Sequence, residues 1–221
     1  MNYIETINPF TRQVIEKYPL EENLNQRVGS SRSAFQKWKK TSVELRVSLL
    51  KEALQYFETN KEEIALDISN QMGKPLTQAQ GEIAGVFERA EFLMKAAPQA
   101  LKTDVLVDKK GFERGIVHEP LGIVFVVAAW NYPLLIAING VMAALLAGNS
   151  VLLKHSSNTL SIGEHFEKAF GSIVGYEGLL QNLVLSHDQT KNLIESKTID
   201  HVIFTGSVEG GKRIYQSVSQ S

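Results

Sequence analysis

The spacing of apolar residues changes near residue 120 and predicts a different architecture on each side of it. Between residues 23 and 102, apolar positions recur mostly every three or four residues, which is typical of helices with one buried face. Residues 3–19 alternate weakly around a turn and predict short strands or a hairpin. The predicted helices begin near Asn23, Ser42, Asn60 and Leu76, with Ser42 and Asn60 as the expected caps of the second and third. Pro98 is expected to end the last helix at Ala97.

The stretch from Gly122 to Lys154 organises the second half. Three apolar runs, at residues 123–129, 134–146 and 151–153, are separated by Trp130-Asn131-Tyr132-Pro133 and by Gly148-Asn149. The outer runs are short and bounded by turn residues, as buried strands are, while Pro133 fits the first turn of a helix. The stretch therefore predicts a strand-helix-strand unit of a parallel sheet, with Asn131 and Lys154 just past the strand ends.

Strands and helices continue to alternate after Lys154. The pattern predicts helices at about residues 159–170 and 189–195, strands at 182–185 and 201–204, and a last helix after Gly206-Ser207. This order is typical of a doubly wound α/β layer of the nucleotide-binding type. Residues 103–119 alternate around a Lys109-Lys110-Gly111 turn and predict an extended hairpin. We therefore divide the chain into a helical part (1–102), the hairpin (103–119) and the α/β part (120–221).

Composition narrows the class of protein. The chain has 221 residues, 43% of them hydrophobic, and a net charge of -1, which argues against nucleic-acid binding. Residues 1–5 lack the basic and apolar regions of a signal peptide, so a cytoplasmic location is expected. The uncharged stretch from Leu121 to Leu153 is long enough to span a bilayer. Pro133 and Gly148 divide it into pieces too short to cross, so no membrane contact is expected.

Asn131 and Lys154 are the polar residues best placed for chemistry. Asn131 would offer a fixed amide donor to a developing oxyanion, and Lys154 a cation for a ribose or phosphate. Simpler explanations are that Asn131 caps the helix before proline and that Lys154 is a solvated strand end. The residues alone leave these alternatives open.

Gly206 to Arg213 nearly matches a phosphate-binding loop, with a Gly, a four-residue gap, Gly211 and Lys212 after a predicted strand. Arg213 stands where that motif needs a Ser or Thr to hold magnesium, so nucleotide hydrolysis is not predicted. What remains is a small-residue turn at a helix N-terminus, which either binds an anion or is merely capped by Ser207.

The sequence offers no candidate residues for a metal site or for thiol chemistry. The five histidines show no metal-ligand spacing, so no metal is expected. No histidine is assigned to catalysis, and His187-Asp188 is expected to cap a helix. The absence of cysteine excludes disulfides, thiolate metal sites and thiol catalysis within these residues. The charged residues of the fourth predicted helix are expected on solvated faces. They are Glu82, Glu88, Arg89 and Glu91.

Three segments, in this order and spacing, resemble the aldehyde dehydrogenase superfamily. They are Glu119 to Gly122 leading into Ala129 to Pro133, Ala147 to Lys154, and Phe204 to Ser207. Asn8-Pro9 and Gly73-Lys74-Pro75 also match, so the resemblance covers the whole chain. It implies an α/β fold with a helical N-terminal part, a Rossmann-like parallel sheet and a hairpin of the oligomerisation type. The cofactor, NAD or NADP, would lie across a five-stranded sheet without the usual glycine fingerprint.

The resemblance also implies roles for individual residues. Asn131 would be catalytic, donating its amide to the thiohemiacetal oxyanion. Val127, Ala128, Ala129 and Trp130 would line the nicotinamide ribose and the substrate channel. Lys154 would bind the adenosine ribose, and Ser207 the pyrophosphate, with Gly206 allowing close approach. The family's reaction is attack of a cysteine on an aldehyde, hydride transfer to NAD(P), and hydrolysis of the thioester by a glutamate-activated water.

Ser157 is a departure from the family's pattern. Many members carry a Glu three positions after the lysine, and this Glu accepts a hydrogen bond from the ribose hydroxyl and repels a 2′-phosphate. Ser157 removes that repulsion and therefore predicts that NADP is tolerated. The run Lys154-His155-Ser156-Ser157 resembles the branch that contains succinate-semialdehyde dehydrogenases.

The second departure concerns the catalytic groups. The family's general-base Glu and nucleophilic Cys lie beyond the segment matched by Phe204 to Ser207, and this chain contains neither. We therefore expect an N-terminal, cofactor-binding fragment that lacks the catalytic domain, is inactive alone, and meets a small aldehyde only with that domain. Open hairpin edges predict self-association into a homo-oligomer. Two alternatives remain: a non-catalytic nucleotide-binding module, and a subunit-interaction protein that completes a separate catalytic chain.

Overall fold

The computed structural model describes residues 2–107 and 109–221 and shows a mixed α/β architecture. Helices dominate up to Ala100, and strands alternate with helices after Gly122, as the apolar spacing predicts. In chain order the elements are β1 (Tyr3–Ile7), β2 (Val14–Pro19), α1 (Leu24–Trp38), α2 (Val43–Ala53), α3 (Gln55–Thr59), α4 (Lys61–Met72), α5 (Leu76–Ala100), β3 (Asp104–Val105), β4 (Gly115–Ile116), β5 (Ile123–Val127), α6 (Pro133–Leu146), β6 (Ser150–Lys154), α7 (Leu160–Phe170), β7 (Leu180–Asn182), α8 (His187–Glu195), β8 (His201–Phe204) and α9 (Val208–Val218).

Side chains cap the first helices in ways the sequence predicts only in part. Ser42 caps α2 as predicted, because its hydroxyl accepts a hydrogen bond from the N–H of Leu45 at 3.2 Å. Asn60 precedes α4 but does not cap it. Its Nδ2 instead donates to the carbonyl of Tyr56 at 2.7 Å, one turn back in α3.

The end of α5 corrects one prediction. Pro98 does not terminate the helix, which continues to Ala100. A proline removes only the hydrogen bond of its own N–H, and the N–H of Leu101 still donates to the carbonyl of Ala97 at 2.9 Å. The proline therefore sits in the last turn, where few hydrogen bonds depend on it.

The predicted strand-helix-strand unit is present at the centre of a parallel sheet. Four strands in the described residues lie in the order β7-β6-β5-β8, and all neighbouring pairs are parallel. The chain moves outward from β5 to β7 and then returns to place β8 on the other side of β5. That reversal lies between β5 and β8, and ligands of such sheets bind at the carboxyl ends of the strands beside it.

Strand β7 lies slightly earlier than predicted, at Leu180–Asn182 rather than at residues 182–185. Its position is set by pairing with β6, where Val151 lies opposite Leu180. The apolar residues that suggested the later position, Leu183 and Leu185, pack as buried loop residues in the cluster that contains α8.

Both faces of the sheet are covered by helices. Val124 and Val126 face a large core shared with α5, α6 and α7, while Phe125 and Leu152 face a second core that includes residues of α8. These side chains are almost completely buried, and each fully buried large apolar side chain contributes about 1.5–3 kcal/mol to folding. The sheet is therefore a rigid base for the loops at its edges.

Helix α6 is tied at its C-terminus to the N-terminal helices. The indole N–H of Trp38 donates to the carbonyl of Leu145 at 2.8 Å, and Nη1 of Arg46 donates to that of Leu146 at 2.8 Å. Both side chains are buried. Gly148 follows with φ of 90°, and a Cβ at this position would lie 2.4 Å from Nη1 of Arg46. Only glycine fits this turn.

The hairpin predicted at residues 103–119 is shorter than expected. β3 and β4 pair over two residues each, and Leu106 N–H adds a hydrogen bond to Arg114. Its apolar side chains point into solvent, with Val105 80% and Val107 86% exposed. Within the described residues, no helix combines the length and apolarity that crossing a membrane requires.

Candidate functional site

The carboxyl ends of three strands meet at one edge of the sheet. Val127, the last residue of β5, lies between Lys154 of β6 and Phe204 of β8. The N–H of Ala128 donates to the carbonyl of Lys154 at 2.9 Å, and the N–H of Thr205 donates to that of Val127 at 3.0 Å. The loops that follow these strands therefore leave the sheet side by side, as the sequence predicts.

Lys154 is not a solvated strand end. The residue is only 9% exposed, and its amine donates one long hydrogen bond, 3.4 Å to the carbonyl of His155. Burial lowers the pKa of this amine, because the charged form loses hydration. A buried amine with such weak internal contacts can gain energy from an acceptor on a bound molecule.

Ser207 caps α9, so the simpler explanation for this residue holds in the structure. Its hydroxyl accepts from the N–H of Gly210 at 3.1 Å. The glycines that suggested a phosphate-binding loop surround the ring of Phe204. A Cβ would lie 2.6 Å from this ring at Gly206 and 2.9 Å from it at Gly210. The near-match to the phosphate loop is thus explained by packing, while the helix N-terminus still favours an anion.

A cleft of about 620 Å³ opens at this edge, between α8, α9 and the ends of β5 and β6. Three of the residues proposed from the sequence line it: Val127, Lys154 and Ser207. The cleft wall does not include the other proposed residues. These are Ala128, Ala129, Trp130, Asn131, Ser157 and Gly206.

Asn131 lies on the loop between β5 and α6. Trp130 is 47% exposed and Tyr132 51% exposed, and Asn131 between them is exposed as well. Neither Asn131 nor Tyr132 caps α6, whose first residue is Pro133. The explanation of Asn131 as a helix cap is therefore wrong, and its amide is open to solvent beside the carboxyl end of β5.

Glu82 corrects the expectation of a solvated charge on α5. Its side chain is buried, pairs with Lys74, and accepts hydrogen bonds from the N–H groups of Leu134 and Leu135 at 2.8 and 3.1 Å. Helical spacing contained the signal, since Glu82 falls on the stripe of Ala79, Ile83 and Val86 that packs into the core.

Ser157 is exposed in the loop after β6. Its carbonyl accepts from the hydroxyl of Thr6 in β1 at 3.3 Å, so the N-terminal hairpin lies against this loop. No carboxylate is present at position 157 itself. Acidic side chains line the wall of the cleft on α8 and α9, namely Asp188, Glu195 and Glu209.

The sequence did not indicate Glu195 as a site residue. This residue ends α8 and lines the cleft, and its Oε1 is buried without a hydrogen-bond partner among the described residues. Lys191, one turn earlier, is 3.9 Å away and only weakly paired with it. Glu195 therefore places a carboxylate in the wall of the cleft, with one of its oxygens closed off from solvent.

The structure corrects the prediction that His187-Asp188 caps α8. Ser186, rather than His187-Asp188, caps α8 with Gln189 in a reciprocal pair of hydrogen bonds. His165 is buried between Tyr56 and Asp67, at 2.9 and 3.0 Å. Across residues 2–107 and 109–221, no cluster of acidic residues and histidines has the geometry of a metal site.

This arrangement, an α/β protein with a cleft at the carboxyl edge of a parallel sheet, is that of the doubly wound α/β folds, which bind ligands at this edge. The solved structure of Gox0499 has the same fold. It matches 99% of this chain and 48% of its own length, with a TM-score of 0.92 and 26% identity.

Residues 1–221 match the aldehyde dehydrogenase family, and the chain belongs to that family. Succinate semialdehyde dehydrogenase [NAD(P)+] Sad of Escherichia coli K12 is 27% identical over 212 residues, 95% of this chain and 46% of the relative. A malonate-semialdehyde dehydrogenase of Listeria innocua is 30% identical over 220 residues, 98% of this chain and 45% of the relative. The chain thus spans about half the length of these curated relatives, and the N-terminal portion predicted from the motifs is confirmed.

Proposed function

We propose that this chain forms the cofactor-binding part of an NAD(P)-dependent aldehyde dehydrogenase that oxidises a small semialdehyde to a carboxylate. The observation that carries the proposal is the cleft that joins Val127, Lys154 and Ser207 at one edge of the sheet. The Escherichia coli relative is named for NAD(P)+, and both curated relatives are named for semialdehydes of short dicarboxylic acids. These names support the cofactor and substrate classes.

The cleft suits the adenosine end of a dinucleotide. The buried amine of Lys154 would donate to a ribose hydroxyl. The N-terminus of α9 would face the pyrophosphate, because its N–H groups and helix dipole favour negative charge. Gly206 keeps the loop before that helix free of side-chain bulk.

The nicotinamide end would lie along residues 127–130, towards Asn131. Bound there, the nicotinamide supplies a hydride acceptor. Asn131 would donate its amide to the oxygen of the reacting carbonyl, and a fixed donor of this kind contributes about 3 kcal/mol to stabilising the transition state. The thiol nucleophile would come from outside these 221 residues, which contain no cysteine.

Either cofactor would be accepted. Ser157 places no negative charge beside the position expected for a 2′-phosphate. Lys191 also lines the cleft and would favour a phosphate electrostatically.

The hairpin of β3 and β4 supports association with another chain. Its exposed apolar residues include Val105, Val107, Phe112, Ile116 and Val117, which are 52–86% exposed. Exposed strand edges with apolar side chains favour pairing with further strands. A second copy of this chain, or a catalytic part of the same enzyme, would cover them.

Calorimetric titration of the chain with NAD and with NADP tests the cofactor site. Replacing Lys154 by Met should weaken binding by roughly 10- to 100-fold, the loss of one hydrogen bond to a charged donor. Lys95→Met is the matched control, because Lys95 is exposed on α5, away from the cleft. Thermal unfolding confirms that both variants fold. A folded wild-type chain that binds neither cofactor would refute the proposal for this chain.

A further inference from the structure

Helix α6 begins without a cap of its own. Its first residue, Pro133, has no N–H, and the side chain of Tyr132 before it makes no capping hydrogen bond. The next two N–H groups, of Leu134 and Leu135, are taken by one oxygen of Glu82 at 2.8 and 3.1 Å. Glu82 lies more than fifty residues earlier, on α5, so this cap is a tertiary contact.

The second oxygen of Glu82 binds Lys74, in the turn between α4 and α5. The two side chains are 1% and 7% exposed, so neither charge is satisfied by water. The amine of Lys74 also lies 4.0 Å from the centre of the Tyr132 ring, within range of a cation–π contact. The pair therefore touches the chain on both sides of Pro133.

A buried ion pair is a weak source of stability, because desolvation offsets most of the attraction between the charges. An apolar pair would fill this part of the core without that cost. An apolar pair could not accept hydrogen bonds from the N–H groups that start α6. It also could not place a cation beside the ring of Tyr132. This points to a role in fixing the Trp130 to Tyr132 segment rather than in filling the core.

We propose that Glu82 and Lys74 are positioning residues that together hold the loop carrying Asn131. Glu82 fixes the start of α6, and Lys74 contacts the ring of Tyr132, so the chain is restrained directly after Asn131. The inference rests on the proposed function, in which the Asn131 amide must meet the reacting oxygen. In the complete enzyme, Glu82→Ala should lower kcat by about 10²-fold with little change in the KM for the dinucleotide, because misplaced groups slow the chemical step.

The chain itself contains a reporter for this loop. Of its two tryptophans, Trp38 is completely buried and Trp130, beside Asn131, is 47% exposed. Quenching of fluorescence by acrylamide, which is neutral, therefore measures mainly the accessibility of Trp130. Release of the loop in Glu82→Ala should raise its quenching constant up to about twofold, since half of the ring surface is already accessible.

Three further variants separate positioning from general loosening. Glu82→Gln keeps an oxygen for both N–H groups and should restore the wild-type quenching. Lys74→Met removes the cation over Tyr132 together with the ion-pair partner of Glu82, while Glu82 can still accept from both N–H groups, and it should raise quenching. Val86→Ala creates a cavity one turn further along α5 but keeps Glu82 and Lys74, and it should lower the melting temperature without changing quenching.

Unchanged quenching in either Glu82→Ala or Lys74→Met would overturn the inference, as would an equal rise in Val86→Ala. If Glu82→Ala does not fold, Lys74→Met and Glu82→Gln decide the question. The measurement needs no cofactor, so its failure is distinct from a failure to bind NAD or NADP.

Discussion

His155 should make this protein sensitive to mild acid. The residue follows β6, is completely buried, and neither of its ring nitrogens has a hydrogen-bond partner among the described residues. Burial and the neighbouring charge of Lys154 lower the pKa of His155 from 6.5 to about 3. The ring is therefore neutral in the folded chain under conditions in which the unfolded chain binds a proton.

The direction in which stability changes with pH follows from the difference between the folded and unfolded pKa values of His155. Because the folded pKa lies below the unfolded one, stability is complete above pH 6.5 and is lost as the pH falls towards 3. The full loss corresponds to about 5 kcal/mol. Between pH 7.5 and pH 5 the same two pKa values give about 2 kcal/mol. That is a substantial part of the 5–15 kcal/mol that is typical of a domain.

His155→Leu should remove this loss, since leucine is apolar and similar in size. The assay is urea unfolding of both proteins at pH 7.5 and pH 5, with stability extrapolated to water. Carboxylates that titrate in the same range affect both proteins equally and cancel in the comparison. His201→Gln is the control, because it removes an exposed imidazole and should leave the acid sensitivity unchanged. Equal losses in wild type and His155→Leu would show that the burial argument is wrong.

Two further substitutions test the turn after α6 and the choice of cofactor. Gly148→Ala should lower the free energy of unfolding by roughly 2–4 kcal/mol, because of its positive φ and the overlap with Arg46. The control for Gly148→Ala in thermal unfolding is Gly29→Ala, where a Cβ meets nothing within 4 Å. Similar losses of stability at both positions would contradict the geometric explanation. Ser157→Glu should weaken NADP binding by about tenfold or more through charge repulsion, with NAD binding retained. Calorimetry that finds NADP binding intact would exclude Ser157 as a determinant.

The order of helices and strands could be predicted because buried positions recur with the period of a helix or a strand, and the spacing of apolar residues shows that period. The same local pattern does not predict the structure correctly where contacts with another part of the chain determine it. β7 is placed by its pairing with β6, and Pro98 is tolerated because the hydrogen bonds around it belong to other residues. Asn60 resembles a cap by position, but its amide bonds backward to Tyr56 instead.

The site was predictable to the extent that it follows from topology. Parallel strands bring Val127, Lys154 and the segment before Ser207 to one edge, and the motif resemblance indicates the same residues. Glu82 was missed because its partners are distant in sequence, and Glu195 because its local pattern does not place it in the cleft wall. A carboxylate on an otherwise apolar helical stripe is nevertheless a visible sign of a buried partner.

Side chains from other helices form hydrogen bonds with the backbone of α6 at both of its ends. Trp38 and Arg46 bind carbonyls at one end, and Glu82 binds N–H groups at the other. Such bonds do not depend on which side chains the helix carries. Apart from Pro133, and from Gly140, where a Cβ would lie 3.2 Å from Val126, α6 is therefore free to change its sequence as long as apolar volume is kept, and the loop it anchors would stay in place.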